Sequence, residues 1–180
     1  MSQLALVSVV LGGVMCAVSG SMIISPEKAR GWMRQFPRSR SAGWILATIV
    51  LTWSGKWLYD SPLSNLEQYR NLIFILVPIA ILLSGIFVDE LLAPRALGAL
   101  FIVIPSVLLD AARWHESPLR LVIAVFAYIM VIKGCILVVA PYSFRKVTER
   151  FFFNDTHCRL WCGFAAGMGV LLAWLGFGVY

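Results

Sequence analysis

This sequence has little charge. Acidic and basic residues make up 13% of its 180 residues, about half the share of an ordinary soluble domain. Hydrophobic residues make up 60%, and the mean hydropathy is +0.84. A conventional water-soluble globule is thereby excluded. There are only nine acidic residues, two histidines and four cysteines, which leaves little material for acid–base pairs or metal ligands. No GxSxG, HExxH, CxxCH or phosphate-binding glycine loop occurs, so the motifs that carry common chemistries are missing. Nothing in the sequence points to catalysis or to a cofactor. Runs of alternating polar and apolar residues, about ten long, are absent as well, which excludes a transmembrane barrel.

Long apolar runs fill the space instead. A spanning helix needs about 20 mostly apolar residues. Spans are expected near 3–24, 43–59, 71–88, 96–112, 120–140 and 160–180. The expected fold is all-α: a single polytopic membrane domain, with six helices arranged as three tandem hairpins near 1–60, 61–115 and 116–180. The opening Met-Ser-Gln has no positive charge, and Val14-Met15-Cys16 lacks the small residue a lipoprotein cleavage site wants. The first run is therefore read as a retained helix rather than a signal peptide.

The net charge of +6 is explained by topology, with no need of nucleic acid. The first, third and fifth connections hold Lys28, Arg30, Arg34, Arg38, Arg40, Arg95, Arg145, Lys146, Arg150 and Arg159. The other side holds Lys56, Arg70, Arg113 and Arg120, and Lys133 lies within a span. Ten against four is a positive-inside bias. It predicts a cell-membrane protein with the basic connections in the cytoplasm and both termini outside. Tryptophans mark both interfaces: Trp53, Trp57 and Trp114 outside, Trp32, Trp44 and Trp161 inside.

A weak repeat runs through the spans. Pro37-Arg38-Ser39-Arg40-Ser41-Ala42-Gly43 opens one helix pair, and Pro94-Arg95-Ala96-Leu97-Gly98 opens the next. About one span later come Asp60-Ser61-Pro62-Leu63 and Glu116-Ser117-Pro118-Leu119, then Arg70 and Arg120. The following runs carry Ser84-Gly85 and Lys133-Gly134, with Ser19-Gly20 in the first span. Three copies of one unit, in a pseudo-threefold arrangement, are expected.

The third unit contains Lys133-Gly134, Pro141-Tyr142-Ser143-Phe144-Arg145-Lys146, then Asp155, Arg159 and Gly163. Over about 131–170 it resembles the YjeT-like family of short, two-helix bacterial inner-membrane proteins of unknown function. The sequence departs from that pattern at Lys133, where the family has an acidic residue. The resemblance implies an inner-membrane hairpin and assigns no activity, cofactor or catalytic residue.

Several residues are singled out. Lys133 lies eight residues before Pro141, about 12 Å inside the inner interface. A lysine near a helix centre costs about 2.5–3.5 kcal/mol on insertion scales. It is expected to snorkel toward the cytoplasm, or to pair with Asp89 or Glu90, or to serve as a polar intramembrane site. Pro78 and Pro105 interrupt spans three and four and free the carbonyls of Phe74 and Phe101. They read as ordinary kinks, or as the broken helices of a small-solute or ion transporter together with Lys133. Gly12, Cys16 and Gly20, with Gly163 and Gly167, are small residues at spacing four and suit close helix packing, within the chain or in a homo-oligomer. Cys158 and Cys162 lie one turn apart, too poorly placed for a disulfide, and His115 and His157 fall on opposite sides, so no metal is expected. The connections 26–40 and 141–152 are amphipathic. Lys28, Arg30, Arg34, Arg145, Lys146 and Arg150 are expected to contact anionic headgroups. The leading functional expectation is a non-catalytic protein that packs with membrane partners or with itself.

Overall fold

The computed structural model describes residues 3–61, 70–87, 91–113, 117, 119–151 and 155–178. Among these residues the chain is helical and has no strands. Eight helices follow one another: α1 (Gln3–Ile24), α2 (Pro26–Gln35), α3 (Arg40–Asp60), α4 (Ile73–Phe87), α5 (Leu92–Arg113), α6 (Arg120–Val139), α7 (Tyr142–Phe151) and α8 (Asp155–Gly178). A 3-10 turn, Phe36–Arg38, joins α2 to α3.

Four helices are long and apolar enough to cross a membrane: α1, α5, α6 and α8. At 1.5 Å per residue, the 22 residues of α1 reach about 33 Å, against a hydrocarbon core of about 30 Å. Helix α3 has comparable length, 21 residues, but its last turns carry Ser54, Gly55 and Lys56. Helix α4 is strongly apolar but only 15 residues long.

Punctuation sets the helix ends. Pro26 occupies the first turn of α2, where its missing N–H is no loss. The Ser39 side chain caps α3 by accepting from the Ala42 N–H at 3.2 Å. Ser61 ends α3 with ψ 145, because the residue before a proline is driven to an extended conformation. Its hydroxyl donates back to the Trp57 carbonyl at 2.7 Å. Ala140, before Pro141, ends α6 with ψ 72, and its N–H still donates to the Ile136 carbonyl.

The hairpins expected from chain order would join α1 with α3, α4 with α5, and α6 with α8. The extensive contacts among the described residues are instead α1 with α8, α5 with α6, α3 with α5 and α3 with α4. Each of the pairs α1–α8, α5–α6 and α3–α4 is antiparallel, as three sets of contacts show. Gly12 opposes Gly169 while Val9 opposes Gly176. Gly98 opposes Val138 while Ile102 opposes Gly134. Trp44 opposes Gly85 while Gly55 opposes Val77. Glycine decides which faces meet. A Cβ built on Gly98 would lie 2.8 Å from the Gly134 carbonyl oxygen, and one on Gly134 would lie 2.6 Å from that of Gly98. Backbone therefore rests on backbone, as small residues permit in membrane helices.

The main core forms where α1, α5, α6 and α8 meet. Leu4, Leu108, Ile123, Ala127, Met130 and Leu172 are buried there. A smaller cluster, Ala47, Leu92 and Ala96, joins α3 to α5. Large apolar side chains on the outer faces are exposed, among them Leu6, Ile45, Phe74, Leu121, Phe164 and Trp174. This inverted surface suits a bilayer, where lipid tails replace water as solvent.

Candidate functional site

The C-termini of α1 and α6 and the N-termini of α3, α5 and α8 gather at one end, because α2 touches α7 and α8 and the 3-10 turn touches α5. Helices α2 and α7 cover this end. Each is ten residues long and follows a span almost directly. Both have a charged face and an apolar face: Glu27, Lys28, Arg30 and Arg34 alternate with Ala29, Trp32 and Met33, and Arg145, Lys146 and Arg150 with Phe144 and Val147. Amphipathic basic helices of this kind lie at headgroup level. An aromatic row ties the two together. The rings of Trp32 and Phe36 are 5.1 Å apart, and those of Phe36 and Phe144 are 5.6 Å apart. Phe36 is buried at 6% exposure.

Between them lies a cavity of about 730 Å³. Arg30, Met33, Arg34, Pro37 and Arg38 line one wall, and Tyr142, Arg145, Thr148 and Glu149 line the other. Leu91 closes one side. Its φ of 63 is the left-handed conformation, uncommon for a branched side chain. Arg145 donates from Nε to a Glu149 carboxylate oxygen at 2.8 Å. That hydrogen bond, and then the charge behind it, raises the Arg145 pKa above its ordinary value. Lys146 sits over the Tyr142 ring at 5.1 Å.

The residues named from sequence fall in distinct places. Of the six headgroup residues, Arg30, Arg34 and Arg145 line the cavity, while Lys28, Lys146 and Arg150 are exposed outside it. Arg38 lines the cavity too and was not singled out as a contact residue. The spacing of Arg30, Arg34 and Arg38 at i, i+4 and i+8 was the available signal, but Pro37 between the last two hid the continuity.

Lys133 is on the exposed face of α6, with no ion pair or hydrogen bond to a described residue. Its neighbour Gly134 is buried against α5, which turns Lys133 away from the bundle interior. Its expected partners Asp89 and Glu90 lie outside the described residues, as does His115. The two prolines do not form a pair. Pro105 is buried in α5, whereas Pro78 is on the exposed face of α4. Gly12 and Cys16 sit in the α1–α8 seam, with the Cys16 thiol 3.6 Å from the Ala166 carbonyl oxygen. Gly20, Gly163 and Gly167 face open space and do not join that seam. Cys158 and Cys162 are buried on α8, and all four cysteines are free. Among the described residues no group of three metal-ligating side chains occurs.

Two arginines act alike at the opposite end. Arg70 donates to the Ser61 carbonyl just beyond α3, at 3.4 Å. Arg120 donates to the Arg113 carbonyl at the end of α5, also at 3.4 Å. Each satisfies a carbonyl left over at a helix C-terminus. Arg70 also stacks on Tyr59 at 4.9 Å.

Comparison of the chain with family models, with curated proteins and with solved structures finds no match.

Proposed function

We propose that this chain is a non-catalytic integral membrane protein that assembles with membrane partners or with itself. Its basic end would rest on the anionic headgroups of the cytoplasmic leaflet. One observation carries this reading. The cavity and its charged lining lie at the basic end, outside the apolar helices. In between, α1, α5, α6 and α8 close on a core of Leu4, Leu108, Ile123 and Leu172. The charged cavity thus sits at one interface rather than along a path across the bilayer, which favours anchoring over transport.

The finer topology belongs to the same proposal. All six apolar helices would cross, with α3 and α4 inserted as an antiparallel pair. Both termini would face outward, and the address would be the bacterial inner membrane. The ten-to-four sorting of basic residues supports the orientation. The resemblance of 131–170 to the YjeT-like hairpin supports the address. The tandem repeat draws support from packing: α3 with α4, α5 with α6 and α8 with α1 pair in the same antiparallel sense. Arg70 and Arg120 also play one role at corresponding points.

The test is Lys133→Met. Anchoring and assembly need no ionisable group on α6, so the variant should insert and co-purify with the same membrane partners, or with itself, as the parent does. Loss of activity or of partner capture in a variant that folds normally would instead favour transport through Lys133.

A further inference from the structure

We propose that the α2–α7 cavity is a binding site for an anionic group bearing two phosphates, supplied by a phospholipid headgroup. This rests on the membrane-anchoring reading and deepens it, because it assigns a defined cleft rather than a diffuse basic surface.

Four guanidinium groups, from Arg30, Arg34, Arg38 and Arg145, converge on the cavity against the carboxylate of Glu149, a formal charge of +3 among the described lining residues. Asp89 and Glu90, which precede Leu91, lie outside the described residues. Arg34 and Arg38 have no hydrogen bond or ion pair to a described residue. Because these side chains line one cleft, an anion bound there is met by several of them at once. Glu149 does not cancel the site. It holds Arg145 through Nε alone, so the terminal nitrogens remain for another acceptor. Arginine forks match phosphate oxygens two at a time. Arg30 already has an interaction of its own, so the forks of Arg34 and Arg38 and the terminal nitrogens of Arg145 carry the site, and these three groups, spread over both walls, suit two phosphates better than one. The volume of about 730 Å³ exceeds what a single phosphate fills. Met33, Pro37 and Leu91 add apolar wall, which fits a glycerol backbone and the first acyl carbons. The position, flanked by two interfacial helices, opens the cleft to headgroups.

The experiment uses the full chain in nanodiscs and in detergent. Vesicle lipids with two phosphates, such as cardiolipin, are compared with single-phosphate phosphatidylglycerol at equal total charge, and inorganic pyrophosphate is titrated as a soluble competitor. Native mass spectrometry counts bound lipid, and calorimetry gives affinity. One cardiolipin should be retained per chain, in preference to phosphatidylglycerol. Arg34→Gln with Arg38→Gln should weaken it by about tenfold or more, since hydrogen bonds to charged groups are individually strong. Arg34→Lys with Arg38→Lys should weaken it by less, because charge stays while the fork is lost. Lys28→Gln with Arg150→Gln, outside the cleft, should change it less than about twofold. Equal losses in the two glutamine pairs would overturn the site in favour of diffuse attraction. Tighter binding of pyrophosphate than of cardiolipin would reassign the source to a soluble anion and overturn the lipid assignment. All variants alter exposed side chains, and circular dichroism verifies that the helices persist. Alkaline carbonate extraction separates the two claims. If the chain stays in the membrane but retains no lipid at defined stoichiometry, the cleft proposal alone fails. If carbonate extracts the chain, the anchoring reading fails first.

Discussion

Replacing Gly98 by alanine tests the packing of the bundle at one atom. The residue is helical, so alanine meets no backbone strain, and the effect comes from space alone. The new methyl would lie 2.8 Å from the Gly134 carbonyl oxygen, 2.8 Å from the Leu137 Cβ and 3.0 Å from the Val138 nitrogen. Two of these are backbone atoms of α6 and cannot rotate away. The helices must separate by a few tenths of an ångström, and contacts along the seam weaken with them. Overpacking of this kind costs about 1–3 kcal/mol. Alanine regains up to about 1 kcal/mol of helix propensity over glycine. A net loss of up to about 2 kcal/mol is expected. Gly163→Ala is the matched control, since nothing lies within 4 Å of its Cβ. It should be neutral or stabilising. Reversible unfolding in mixed detergent micelles, followed by circular dichroism, measures both. Gly98→Ala with Gly134→Ala should cost less than the two single changes together, because the helices separate only once. If Gly98→Ala matches or exceeds Gly163→Ala in stability, the backbone contact between α5 and α6 is refuted.

Other outcomes follow from the same structure. Ser39→Ala removes the α3 cap and should cost about 1 kcal/mol in the same unfolding assay, with Ser39→Asp restoring most of it. Arg70→Met should leave the carbonyl beyond α3 unsatisfied, lower stability by about 1 kcal/mol and speed amide exchange in the last turn of α3 while leaving α8 unchanged. Lys133→Met removes an exposed charge from an apolar helix and should raise the inserted fraction in a glycosylation-mapping assay. A fall in insertion would mean that the lysine is paired in the folded state.

The helical class and most helix boundaries were legible from composition and punctuation. Apolar runs of spanning length and the prolines at 26, 62, 94 and 141 mark the ends of elements without any tertiary knowledge. The amphipathic connections were legible too, because charge and aromatics alternate with helical period across Pro26–Gln35 and Tyr142–Phe151. Partner choice was not. In chain order α1 precedes α3, yet it packs on α8, and only three-dimensional contact reveals that Gly12 and Gly169 share a seam. Small-residue rows looked alike in sequence, whereas in space Gly12 is covered and Gly20, two turns on, is open. Membrane helices are apolar on every side, so periodicity carries little facing information. The cleft was half legible: Arg30, Arg34 and Arg145 were named for headgroup contact, but their convergence needed the Trp32–Phe36–Phe144 row that draws α2 to α7.

The proposed six-span topology requires α3 and α4 to cross the bilayer along with α1, α5, α6 and α8. It is tested most directly by labelling single cysteines, introduced at Arg38 and Asp60 in a cysteine-free background, with an impermeant maleimide in intact spheroplasts. Both positions are exposed and lie at opposite ends of α3. If α3 crosses the membrane, residue 60 is labelled and residue 38 is not until the membrane is permeabilised. Protection of both residues would refute the crossing, because α3 and α4 would then rest on the cytoplasmic side and only α1, α5, α6 and α8 would span.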